Sequence, residues 1–202
     1  MLIKNDNTKN SGNMAIVKRN IITTGLSGKL GNNLVFRQRK GKTILSVAVH
    51  YSGKRSFAQE QQKNRFKKAS LYANTQKHDP ELMEEYNKVA KEKGIYSGYN
   101  LAVSDYFHPP TIEKINIRNY HGEIGDVIEI IAFDDFKVKR IELEIYSSDG
   151  NLIEKGLAYE SNQNGKWHYA ASVANSEYKG DKIVVKAFDY PGNETDKEVV
   201  LD

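Results

Sequence analysis

Apolar and polar positions change their period twice along the chain, and those changes predict its elements. Met14 opens a short apolar stretch, Ala15-Ile16-Val17, and the segment Gly25-Leu26-Ser27-Gly28-Lys29-Leu30-Gly31 is punctuated by glycines as turns are. Residues 33–39 and 43–49 then alternate as two strands. Arg39-Lys40-Gly41-Lys42 between them reads as a hairpin loop with a left-handed glycine. From Ser56, a plausible N-cap assisted by Glu60, the period becomes helical. The spacing predicts a helix over 57–77 with Phe66, Ala69 and Ala73 on one face. A second helix runs over 80–93, opened by Asp79-Pro80, with a buried stripe of Leu82, Tyr86, Val89 and Ala90 and a stop at Gly94. A third runs over 97–107 and halts before Pro109.

Beyond Thr111 the pattern is all strand. Seven runs alternate, over 112–117, 126–133, 138–147, 151–159, 166–173, 181–188 and 195–201, and Ser148-Asp149-Gly150-Asn151 reads as a hairpin turn. Strands of this length and spacing predict a β-sandwich of about 90 residues. His108-Pro109-Pro110 holds the one Pro-Pro pair of the chain and marks the junction. The expected organisation is a disordered tail over 1–13, a hairpin-plus-helices domain over 14–108 and an all-β sandwich over 109–202, an α+β chain.

Gly125-Asp126, Ala132-Phe133-Asp134-Asp135, the Asp149-Gly150 turn, the lone Trp167 and the closing Ala187-Phe188-Asp189-Tyr190-Pro191-Gly192-Asn193-Glu194-Thr195 together resemble bacterial immunoglobulin-like modules. The resemblance covers about 90 residues and implies a non-catalytic spacer or binding module. The first half is similar to uncharacterised bacterial proteins with a Gly-x-Ser-Gly-Lys-x-Gly start. The residues that carry this are Gly25 to Gly31, Gly41-Lys42, Gln59 to Gln62 and Tyr99-Asn100 through Asp105-Tyr106.

Composition alters this picture in one respect. The net charge is only +4, yet residues 1–108 hold 19 Lys and Arg against eight Asp and Glu, while residues 109–202 hold 11 against 18. Between Lys18 and Lys68 there are 13 cations and one acid, Glu60. The cations proposed as a nucleic-acid or polyanion surface are Arg37, Arg39, Lys40, Lys42, Lys54, Arg55, Lys63, Arg65, Lys67 and Lys68, with Phe36, Tyr51 and Phe57 among them. There is no cysteine, so disulfide frameworks and thiolate chemistry are excluded. No apolar run is long enough for a membrane helix and no signal peptide is expected at the N-terminus, which fits a cytoplasmic protein or one assembled in a particle.

Catalysis finds little support. The Gly25–Leu30 segment lacks the spacing of a phosphate loop, the five histidines are scattered, and no Gly-x-Ser-x-Gly elbow occurs. No cofactor is expected. Two loops of the predicted sandwich would bring Asp134 and Asp135 near Asp189 and Asn193, an oxygen-rich set that could hold Ca²⁺, although turn chemistry accounts for such residues as well. The expected function is a non-enzymatic structural or interaction protein, its basic domain docking an acidic or polyanionic surface and its sandwich acting as a spacer or display module, as in a phage-tail-like particle. The alternative is a nucleic-acid-binding protein that uses the same basic domain.

Overall fold

The computed structural model of the 202-residue chain describes residues 14–17, 23, 25–39, 41–48, 53–161 and 165–202. The expected tail over 1–13 lies outside the described residues. The chain divides into two compact units, residues 1–55 and 56–202.

The first unit holds four strands: β1 (Met14–Val17), β2 (Gly28–Leu30), β3 (Leu34–Arg39) and β4 (Lys42–Val47). They form one antiparallel sheet in the order β1-β4-β3-β2. The expected hairpin is its centre, β3 and β4 joined through Gly41 at φ 70°. That positive φ is the reason glycine occupies the loop. β1 pairs on the far side of β4, with Met14 opposite Ser46 and Val17 opposite Thr43.

The second unit begins with α1 (Phe57–Thr75), followed by a short 3₁₀ turn, α2 (Pro80–Glu92) and α3 (Gly98–Phe107). Ser56 caps α1 through a complete capping box, but the reciprocal partner is Gln59 and not Glu60. Gln59 holds the third helical position, from which a side chain reaches back to the cap nitrogen. The α2 stripe is as expected: Tyr86 and Ala90 are fully buried, with Leu82 and Val89 packed beside them. Phe66 departs from its expected inward face. It is 55% exposed and stacks on Phe107, leaving only Ala69 and Ala73 of α1 buried.

The seven remaining strands are β5 (Thr111–Asn116), β6 (Val127–Phe133), β7 (Arg140–Tyr146), β8 (Leu152–Glu160), β9 (Lys166–Ala170), β10 (Lys182–Phe188) and β11 (Glu194–Val200). Their extents follow the sequence pattern, but their assembly does not, and the immunoglobulin-like sandwich is corrected here. They form one antiparallel sheet, in the order β11-β10-β7-β8-β9-β6-β5, curled into a nearly closed barrel. The cause is β8. Its first part pairs with β7 as far as Ala158, and Tyr159 and Glu160 then pair with β9. This strand therefore stitches both halves together. The outer strands approach each other at a seam, where the Lys197 ammonium donates to the carbonyls of Ile112 and Glu113 at 3.2 and 2.7 Å.

Alternating side chains fill the barrel. Ile128, Ile130, Ile141, Leu143, Ile145, Ile183 and Val185 are fully buried, closed over by Trp167 and Tyr169. The helices pack on the barrel through Phe136, in the β6–β7 loop. Its ring lies 3.7 Å, centroid to centroid, from that of Tyr86 and edge-on to Tyr190.

Candidate functional site

The sheet of the first unit has two chemically distinct faces. Directly opposite residues of an antiparallel pair share a face, and so do residues two apart on one strand. Leu30 lies opposite Leu34, and Leu34 opposite Val47. Phe36, two residues on from Leu34, lies between Gly28 and Leu45. Leu30, Leu34, Phe36, Leu45 and Val47 thus form one apolar surface across β2, β3 and β4. At one end it is closed by the chain before β2: Gly25 N–H donates to the Thr43 hydroxyl, and the Gln38 amide donates to that hydroxyl at 2.8 Å and to the Leu26 carbonyl at 2.7 Å. There Phe36 and Thr43 are buried. The other end is open, with Leu30 61% and Val47 54% exposed.

The opposite face carries cations. Arg37 and Arg39 point there from β3, and Lys42, directly opposite Arg39, joins them from β4. All three are exposed, as are Lys54 and Arg55, while Lys40 lies outside the described residues. Lys63, Arg65, Lys67 and Lys68 stand exposed on α1, in the other unit. Lys63 pairs with Glu60 at 3.2 Å, and the Arg65 guanidinium sits over the Phe107 ring. The nine described cations are thus divided between two bodies and do not make one continuous strip along a single element.

The four oxygen-ligand candidates are brought to one end of the second unit, but each is engaged by its own surroundings. Asp189 accepts from the Gly192 and Asn193 amides and from the Asn193 side chain at 2.6–2.7 Å. Asn193 in turn donates to the carbonyls of Asp105 and Tyr106 on α3. Asp135 accepts from Ser104 and bonds His108 Nδ1, each at 2.8 Å, and these bonds hold its carboxyl below the usual range. Asp134 accepts from the Asp135 amide. Among the described residues no three His, Asp or Glu side chains converge as a metal ion requires. Each of the four makes turn or interface hydrogen bonds in this structure.

One buried group at this end escaped the sequence pattern. Asp105, on α3, is fully buried and accepts from the Tyr86 hydroxyl at 2.6 Å, which in turn bonds the Tyr72 hydroxyl at 3.0 Å. Burial pushes its carboxyl up to about 8 and that of Asp134 up to about 6. No local signal marks it: Asp105 directly follows Ser104, in a helix whose preceding residues Leu101, Ala102 and Val103 are apolar. Two clefts open on the barrel. One, of about 430 Å³, is bordered by Tyr146, Ser148, Lys182 and Val200, and the other, of about 280 Å³, by His108, Thr111, Phe133 and Asp134.

Comparison with known proteins bears on the first unit and on the first two helices of the second. Residues 2–97 match the lipocalin / cytosolic fatty-acid binding protein family. That stretch comprises β1 to β4, α1 and α2, just under half of the chain, and the seven-stranded barrel follows it. No curated protein and no solved structure matches the chain. Neither the resemblance to immunoglobulin-like modules nor that to proteins with a Gly-x-Ser-Gly-Lys-x-Gly start is upheld: the match over residues 2–97 is to a different family, and the expected sandwich is a single curled sheet. The phage-particle and spacer roles, the acidic or polyanionic partner and the nucleic-acid alternative are corrected with them. The stretch that suggested them is similar to the lipocalin / cytosolic fatty-acid binding protein family, and three of its cations, Arg37, Arg39 and Lys42, are the solvated side of a sheet whose other side is apolar. The likeness is to a family of binding proteins and not to enzymes. No helix among the described residues is long and apolar enough to cross a membrane.

Proposed function

We propose that the chain is a non-catalytic carrier that binds a small hydrophobic molecule on the apolar face of the β1–β4 sheet. The observation that carries this reading is the row Leu30–Leu34–Val47, three cross-strand partners whose outer members are more than half exposed. It lies within the stretch similar to fatty-acid carriers. A sheet face of this kind needs a cover. A ligand that covers Leu30 and Val47 removes roughly 150 Å² of apolar surface from water, worth on the order of 4 kcal/mol before the cost of association.

Titration of the full chain with a fluorescent fatty-acid analogue tests this. Saturable binding is expected, displaced by unlabelled long-chain fatty acid and abolished in Leu30→Asp/Val47→Asp, whose far-ultraviolet circular dichroism is unchanged. Binding that does not saturate, or that the double variant retains, overturns the proposal.

A further inference from the structure

Alternation along three barrel strands sets an outward row of side chains against one another. Ile128 and Ile130 of β6, Ala158 of β8, and Trp167 and Tyr169 of β9 fill the barrel. Their neighbours Glu129 and Ile131, Tyr159, and Lys166 and His168 therefore face outward. The register places Tyr159 directly opposite His168, His168 opposite Glu129, and Lys166 opposite Ile131. Phe133 stands two residues beyond Ile131 on the same face, and its ring lies so close over Gly165 that a Cβ there would collide with it. Tyr159 is 55% and Phe133 46% exposed. Two strand spacings and about four residues separate the rings, on the order of 15 Å.

Between the rings the groups are polar and already paired. The Lys166 ammonium lies 3.1 Å from a Glu129 carboxyl oxygen, and His168 Nε2 lies 3.6 Å from the same atom. Lys166 holds that carboxyl below the usual range, so both charges are present and cancel. The His168 ring meets that of Tyr159 edge-on, with 5.7 Å between centroids. At its far end the row runs into the cleft of about 280 Å³ that Phe133 borders with Thr111 and His108. His108 Nδ1 is bound to Asp135, which leaves Nε2 for another partner.

These features select a ligand chemistry. A wholly apolar molecule would strip water from Lys166 and Glu129 and return no hydrogen bonds. An anion would meet the Glu129 carboxylate, and a cation the Lys166 ammonium. A pyranose suits both parts of the row: its C–H faces stack on aromatic rings, and its rim of hydroxyls donates and accepts among fixed polar groups. The separation of the rings suits a chain of sugars and not a single one. The polar groups and both rings stand on strands, so little ordering is left for binding. We propose that the outer face of β6, β8 and β9 binds a neutral oligosaccharide, which stacks on Tyr159 and Phe133 and hydrogen-bonds Lys166, Glu129 and His168 between them. The site belongs to the second unit and does not rest on the carrier role of the first.

Biolayer interferometry of the immobilised full chain against four soluble neutral polysaccharides, galactomannan, xyloglucan, glycogen and laminarin, tests this. Saturable binding to at least one is expected, displaced by a short oligosaccharide of the same sugars. It should be equal at about 0.05 M and about 0.5 M salt, because no net charge is matched. Tyr159→Ala should weaken it about tenfold, and Tyr159→Ala/Phe133→Ala should abolish it. Tyr96→Ala, which removes an exposed ring between α2 and α3, should bind as the wild type does, and so should Leu30→Asp/Val47→Asp. Failure to bind any of the four, binding retained in the double aromatic variant, or a preference for heparin that salt removes would each overturn the proposal. If the double aromatic variant fails to fold, Tyr159→Ala decides, together with the wild-type Tyr159 ring resonances. Those resonances should shift as the oligosaccharide is added, and a ring that ignores it overturns the site.

Discussion

The Phe136 ring lies almost parallel to that of Tyr86, with 3.7 Å between centroids, and this contact joins a loop of the barrel to the middle of α2. Both rings are buried, and Tyr190 closes the cluster from the last barrel hairpin. Truncation of such a ring leaves a cavity that neighbours fill only in part. Phe136→Ala should cost about 3 kcal/mol or more and lower the melting temperature by roughly 6–12 °C, measured by circular dichroism.

A second prediction concerns backbone. Gly122 has φ 80°, and a Cβ placed there would lie 1.9 Å from the Asn175 carbonyl oxygen. The same two residues are tied by the Asn175 amide, which donates to the Gly122 carbonyl at 2.8 Å. Gly122→Ala therefore combines conformational strain with a main-chain collision and should destabilise the chain by more than about 2 kcal/mol. Gly150→Ala, also at positive φ but in open space, should cost clearly less in parallel denaturant titrations.

The start of α1 offers a third. Ser56 accepts from the Gln59 amide at 3.2 Å, and the Gln59 side chain accepts from the Ser56 amide at 3.0 Å. Ser56→Ala should cost about 1 kcal/mol, whereas Glu60→Gln, outside the box, should leave the cap intact. Hydrogen exchange of the first-turn amides distinguishes the two.

Acid discharges a carboxylate cluster of the barrel. Glu144, on β7, receives the ammonium groups of Lys155 and Lys186 at 2.9 and 3.1 Å and the Tyr146 hydroxyl at 2.9 Å, which hold its carboxyl down at about 2. A depressed folded value means that this cluster stabilises above the ordinary glutamate range, and its contribution is lost as pH falls through about 2. Glu144→Gln should lower the melting temperature at pH 7 and leave it little changed at pH 2, so the two proteins converge in acid.

The sequence made the strands legible and their assembly illegible. Alternation in Arg140–Tyr146 and in Lys182–Phe188, and the Asp149-Gly150 turn, mark elements because they depend on neighbours two to four residues away. The change of partner in β8 from Ile141 opposite Ala158 to His168 opposite Tyr159 leaves no such local mark, so two layers were expected where one sheet exists. Phe136 sits between charged neighbours in a loop, where nothing local announces burial. The apolar face of the first unit could have been read from Leu34, Phe36, Leu45 and Val47, but the cations between them drew the reading to the opposite side. The burial of Asp105 was not legible because a buried carboxyl is betrayed only by what surrounds it in space.

The seam of the barrel has a mechanical consequence. Every interior boundary between strands is a ladder of backbone bonds, but between β5 and β11 the described pairings include no ladder, and one ammonium spans the gap. Tension applied along the chain would meet a row of bonds loaded together at most boundaries. At the seam the described hydrogen bonds are those of one ammonium, so the barrel should part there before a ladder yields.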